Sequence, residues 1–141
     1  MRIAALLLCA SVFSGPAFAD TNVAGHWTFS ANIAEQCDFD GQAFLEKTGD
    51  NQFKGEVTAR QSCPDLEQDF LVRQDCAASQ IGNQLSVRCR IVEFINGFAS
   101  PSYYPDNFTL TIESSARMHG ALVSTGQARP AEWVRSEGGI S

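Results

Sequence analysis

A two-residue reversal in the middle of the chain constrains its fold more than any other feature. Gly82-Asn83 lies between Phe70–Gln80 and Gln84–Ile95, two strand-like runs. Glycine at the first central position suits a type II′ hairpin turn, whose twist matches that of the flanking strands. Closing the turn there places Ile81 opposite Gln84, and each step outward adds one residue on either side. Five steps out, Cys76 faces Cys89 in a non-hydrogen-bonded pair, where side chains approach most closely and a cross-strand disulfide fits. The same register puts Phe70, Val72, Cys76 and Ala78 on one face with Leu85, Val87, Cys89 and Ile91.

The N-terminus reads as an export signal. Met1-Arg2 is positive, Ile3–Val12 is apolar, and Ala17-Phe18-Ala19 is a small-x-small cleavage site before Asp20. The apolar run is too short for a permanent bilayer anchor. Residues 1–19 are therefore expected to be cleaved, leaving 20–141 as a single domain in the bacterial periplasm or secreted medium. Cys9 leaves with the signal.

Four cysteines then remain, Cys37, Cys63, Cys76 and Cys89. An even count after an export signal reads as two disulfides, for which four cysteines allow three connectivities. The hairpin register selects Cys76–Cys89 and leaves Cys37–Cys63. A loop centred on 48–52 that set Lys47 opposite Phe53 would also bring Cys37 opposite Cys63, and would put Ala43, Leu45, Phe53 and Val57 on one face. Each bridge should stabilise the fold by roughly 2–4 kcal/mol, mainly by restricting the unfolded chain. A zinc site is disfavoured, because no CxxC spacing occurs and only two histidines are present.

Further strand-like runs lie at 27–33, 42–47, 53–59, 108–113, 118–122 and 132–135, with turn signals between them and no helical periodicity. Short antiparallel strands joined by tight turns, Asn96-Gly97 among them, imply an all-β, up-and-down meander closed into a small barrel of about eight strands. Such an interior is either filled by side chains or holds one small ligand.

Gly25-His26-Trp27 at the start of the first strand and Trp133-Val134-Arg135 in the last resemble the calycin pattern. That resemblance implies a barrel whose Trp27 indole plugs the closed end, with Arg135 stacked on it. Guanidinium–indole stacking is also physically reasonable in itself. With Cys37-Asp38 following, the N-terminus looks most like the bacterial alkaline metalloprotease inhibitors, exported barrels that insert an N-terminal arm into a protease cleft. Only Asp20–Ala24 precede Gly25 here, a short arm, and the four cysteines find no match in that pattern.

The formal net charge is −6, with 16 acidic residues against 10 Lys and Arg. That balance repels phosphate backbones and anionic lipid, so no nucleic acid and no membrane surface is expected as a partner. No constellation supports an enzyme. There is no Gly-x-Ser-x-Gly elbow, and His26 and His119, the only histidines, fall on strands where they are expected to face solvent. Asp38-Phe39-Asp40-Gly41 and Asp65-Leu66-Glu67-Gln68-Asp69 offer hard oxygen ligands without the spacing of a calcium loop, and read as solvated turns.

Three residues are candidate binding groups. Tyr103 and Tyr104, between Pro101 and Pro105, present aromatic surface on a constrained loop or fold back over an open barrel end. Glu93 shares the parity of Cys89 and Ile91, so an unbroken register aims it inward as a ligand-orienting group. A bulge near Val92 would turn it out instead. Asn107-Phe108-Thr109 matches a glycosylation sequon.

The function expected from the sequence is thus a non-catalytic exported barrel, without cofactor or metal, that binds a small apolar molecule or a protein partner. The alternative is a metalloprotease inhibitor. Peptide mapping of the unreduced protein is expected to recover a Cys76–Cys89 pair; a Cys63–Cys76 pair would overturn the hairpin register.

Overall fold

Alternation of apolar and polar residues along the chain yields eight strands: β1 (Gly25–Ala31), β2 (Asp38–Gly49), β3 (Gln52–Ser62), β4 (Phe70–Ile81), β5 (Gln84–Phe94), β6 (Asn107–Ile112), β7 (Arg117–Ser124) and β8 (Gln127–Arg135). The computed structural model describes residues 21–96 and 99–136. The proposed export signal, and Gly97 of the Asn96-Gly97 turn, lie outside the described residues. Each strand pairs antiparallel with the next, and β1 pairs with β8, so the sheet closes into a barrel.

The central hairpin forms in the expected register. Gly82 has φ 58°, whereas Asn83 has no positive φ, as a type II′ turn requires. Cys76 opposes Cys89, and the two are bonded with their Cα atoms 4.1 Å apart. The second bridge is Cys37–Cys63. Lys47 opposes Phe53, and from there the β2–β3 ladder runs without a slip to Asp38 opposite Ser62. The irregularity is confined to the turn side, between Lys47 and Gly49. Cys37 and Cys63 therefore meet one step beyond the end of a regular ladder.

Several strands are longer than the hydrophobic pattern suggests. β2 begins at Asp38 rather than Gln42 because Asp38, Asp40 and Gln42 occupy the outer, wet face while Phe39 and Ala43 are buried inside. β8 begins at Gln127 and passes through Pro130. The Pro130 carbonyl accepts from Asn32 N–H at 3.1 Å, just past the end of β1. A strand residue's N and carbonyl point to the same side, so the missing N–H lies where that ladder has already ended.

The half of the barrel around the β2–β3, β4–β5 and β6–β7 turns is filled. Trp27, Trp133, Phe108, Leu45, Leu85, Leu110, Ile112 and Met118 are all fully buried there or at mid-height. Trp133 stacks on Phe29 at 5.6 Å and meets Phe108 edge-on at 5.1 Å. Trp27 lies at the end of this stack, 6.4 Å from Trp133, and its Nε1 donates to the Val23 carbonyl at 2.9 Å. The Arg135 guanidinium sits 4.4 Å from the Trp27 ring centroid. It donates to the carbonyls of Ala24, Asn22 and Ser115 at 2.6–2.8 Å. Gly25 makes room for this clamp. Its φ is 123°, and a Cβ there would stand 2.7 Å from Arg135 Nη1.

Truncating Trp27 to alanine removes a large, fully buried side chain from this end and should cost roughly 3–5 kcal/mol in denaturant unfolding. A loss below about 1 kcal/mol would show that the indole does not support the barrel.

Candidate functional site

At the opposite end, where β1 ends and β2 begins, the barrel is not sealed. β5 and β6 are paired only from Gln84–Thr111 to Val87–Phe108. Beyond that point the strands part. The first step of the split is bridged by Asn107, the sequon asparagine, whose Oδ1 accepts from Cys89 N–H at 2.8 Å. The rest is occupied by the segment leading into β6, which folds back on a small second core of Phe70, Val72 and Tyr103, joined by Leu66, Ile91 and Phe94.

Tyr103 and Tyr104 divide between the two fates open to them. Tyr103 is 8% exposed, its ring edge-on to Phe70 at 5.3 Å and to Phe94 at 6.1 Å. Tyr104 is 52% exposed and stands at the rim. Pro101 and Pro105 bracket the pair, and successive residues in an extended segment face opposite ways.

Beneath Tyr103 lies a buried polar group that composition and motif give no hint of. The Tyr103 hydroxyl donates to Asp106 Oδ2 at 2.7 Å, and Gln74 Nε2 donates to the same oxygen at 2.7 Å. Gln74 Oε1 accepts from Asp106 N–H at 2.9 Å. Gln74 and Asp106 are almost wholly buried. Burial pushes the Asp106 carboxyl up to about 6, against the two hydrogen bonds, which pull it down. Burial first, and then the Asp106 charge, hold the Tyr103 hydroxyl protonated well above tyrosine's ordinary range. Gln74 was detectable from sequence, since it has the parity of Phe70, Val72 and Cys76 on an inward face. Asp106 was not, because Pro105 breaks any count leading to it.

Tyr103, Tyr104 and Asp106 line a cavity of about 390 Å³ at the open end. Ile33, Phe39, Leu66, Phe70 and Leu122 supply apolar wall, and Gln61, Asp106 and Arg129 supply polar groups. Arg129 is exposed at the rim and donates to Gln127 Oε1 at 3.2 Å.

Glu93 does not point inward. The β4–β5 register shifts so that Arg73 opposes Glu93 while Gln74 opposes Ile91, leaving Val92 unpaired as a bulge. Parity reverses there. Glu93 is exposed and bonded to Arg73 Nε at 3.1 Å, and it lines no part of the cavity. The inward, ligand-orienting role is corrected accordingly. His26 stacks on exposed Phe44 at 4.6 Å. His119 Nδ1 lies 3.4 Å from Glu113 Oε2. Neither histidine borders the cavity. The two acidic runs converge on Arg60, which reaches Asp40 at 2.6 Å and Asp69 at 3.4 Å. No group of three or more His, Cys, Asp or Glu side chains suited to a metal occurs among the described residues.

No family model and no curated protein matches the chain. Solved structures match its fold. The redesigned beta barrel b11L5F_LGL is 11% identical, with 82% of this chain and 92% of that chain covered and a TM-score of 0.58. The redesigned beta barrels mFAP1 and mFAP0, both bound to DFHBI, are 10% identical over 81% of this chain. They are covered to 94% and 98%, with TM-scores of 0.57 and 0.56. At such identities the likeness establishes a small closed barrel.

The titration of Asp106 carries a signature in stability. The folded carboxyl takes its proton at about 6, against 3.8 for the free group. Between those values the native state binds more protons than the unfolded one, so this contribution to stability grows as the pH falls and is lost as the pH rises through 6. Wild type should gain about 2 kcal/mol relative to Asp106→Asn between pH 7 and pH 4 in parallel denaturant titrations. A constant difference would show that Asp106 does not titrate in this way.

Proposed function

We propose that this chain is an exported, non-catalytic barrel that binds a small, largely apolar molecule in the cavity at its open end. The observation that carries the proposal is the cavity of about 390 Å³, within the range of small-molecule sites and with their usual make-up of apolar wall and a few converging polar groups. The filled lower barrel supports it, because a rigid floor fixes the shape of the mouth. The solved barrels mFAP1 and mFAP0 hold a small molecule, DFHBI. The two disulfides suit an oxidising compartment, periplasmic or extracellular.

The calycin reading rests on Gly25, Trp27 and Arg135 and agrees with a ligand-binding barrel. A metalloprotease inhibitor with an inserting N-terminal arm draws less support. Thr21–Ala24 is tied to the closed end, with Val23 fully buried and the Asn22 and Ala24 carbonyls held by Arg135.

The neutral probe N-phenyl-naphthylamine is expected to show saturable fluorescence enhancement at one site per chain. Ala34 is exposed on the cavity lining, so Ala34→Trp should fill the mouth without disturbing the core and weaken the probe by roughly tenfold or more. Absence of saturation, or an unchanged affinity in the variant, would sink the proposal.

A further inference from the structure

The two hydrogen bonds to Asp106 both fall on Oδ2. Its other oxygen accepts none among the described residues, although the side chain is almost wholly buried and borders the cavity. That oxygen is not one of the sealed atoms left without a partner, so it stays within reach of a donor entering the cavity, and a cation meets a carboxylate best. Gln74 and Tyr103 do not supply that donor. The Tyr103 hydroxyl and one Gln74 amide hydrogen go to Oδ2, the Gln74 oxygen accepts from Asp106 N–H, and no bond from either side chain to the other carboxylate oxygen is formed. Arg129, the guanidinium on the lining, is at the exposed rim and turned to Gln127. Of the polar side chains on the lining, Gln61 is turned to Cys63 Sγ and Ser124 to the Pro105 carbonyl.

We propose that the ligand is a hydrophobic amine, its apolar body among Phe39, Leu66, Phe70 and Leu122 and its ammonium group on the free oxygen of Asp106. This deepens the cavity reading and rests on it. An acidic chain also draws cations from solution more readily than anions. The network fixes the anchor, because Tyr103 and Gln74 both hold Oδ2 of Asp106 and leave the other oxygen of this cavity-lining residue without a bond.

The ionisation of Asp106 sets the pH range. Its carboxyl titrates at about 6, so the anchor is charged near neutrality and discharged in mild acid. The other ionisable groups on the lining are Tyr103, Tyr104 and Arg129. Neither histidine lies on it.

Calorimetry with octylamine, octanol and octanoate separates head from tail. Near pH 7.5, octylamine should bind at least about tenfold more tightly than either of the others, and its affinity should fall roughly tenfold per pH unit below about 6. Asp106→Asn should abolish the preference while retaining octanol; the pH profile of wild type tests the same anchor with no variant. Octanol or octanoate bound as tightly as octylamine, a flat pH profile, or a preference surviving in Asp106→Asn would overturn the amine assignment and leave the cavity intact. Failure of all three, with N-phenyl-naphthylamine also unbound, would overturn both.

Discussion

The structure depends on one register. The Gly82 turn fixes which residues of β4 and β5 look inward, and because every strand pairs with the next around a closed ring, that parity is carried to the whole wall. A slip by one residue would exchange Val72, Cys76, Ala78, Leu85 and Val87 for charged and polar neighbours. The Cys76–Cys89 bridge makes such a slip covalently impossible, and Cys37–Cys63 does the same for β2 and β3. Chain closure adds a further constraint, since β1 must find β8 at the end of the count, with Trp27 beside Arg135. Each ladder thus limits the next.

The elements visible in the sequence are those governed by local alternation. Both hairpins bearing disulfides, the inward sets of β2 to β5 and the meander itself follow from period two and turn chemistry. The boundaries missed were those where outward polar residues prolong a strand, as at Asp38 and Gln127. Glu93 shows the limit of parity: an unbroken count aims it inward, whereas the bulge at Val92, the alternative weighed from the sequence, reverses every orientation after it. The groups at the open end were half visible. Tyr103 and Tyr104 stood out by composition, but the contact that gives Tyr103 its role joins it to Gln74 across the fold. Asp106 follows a proline in an irregular segment, and only tertiary packing reveals that it is buried.

Burying a carboxylate is costly, and a barrel filled with hydrocarbon at one end has no structural need of one at the other. Replacing an ionisable group by an apolar side chain of similar size is often neutral or stabilising. Its presence beside a cavity, oriented by a tyrosine and a glutamine from different parts of the chain, is more readily understood as a polar fixture in an apolar site than as a contribution to folding. The contrast with the outer wall is instructive. There Arg60 and Arg73 each take two carboxylate partners in water, and such exposed pairs contribute little.

The parting of β5 from β6 has a mechanical consequence. Below Val87 the wall is a continuous hydrogen-bonded sheet; above it, the upper half of β5 is held on one flank by β4 and the Cys76–Cys89 crosslink. On its other flank the contacts are side chains. The mouth is therefore tied unequally, least along the seam facing Tyr103 and most along the crosslinked flank. The hydrogen bonds across it include the two between Gln74 and Asp106 and the one from Cys89 N–H to Asn107, none of them part of a backbone ladder, so the seam can be crossed without the cask losing a stave.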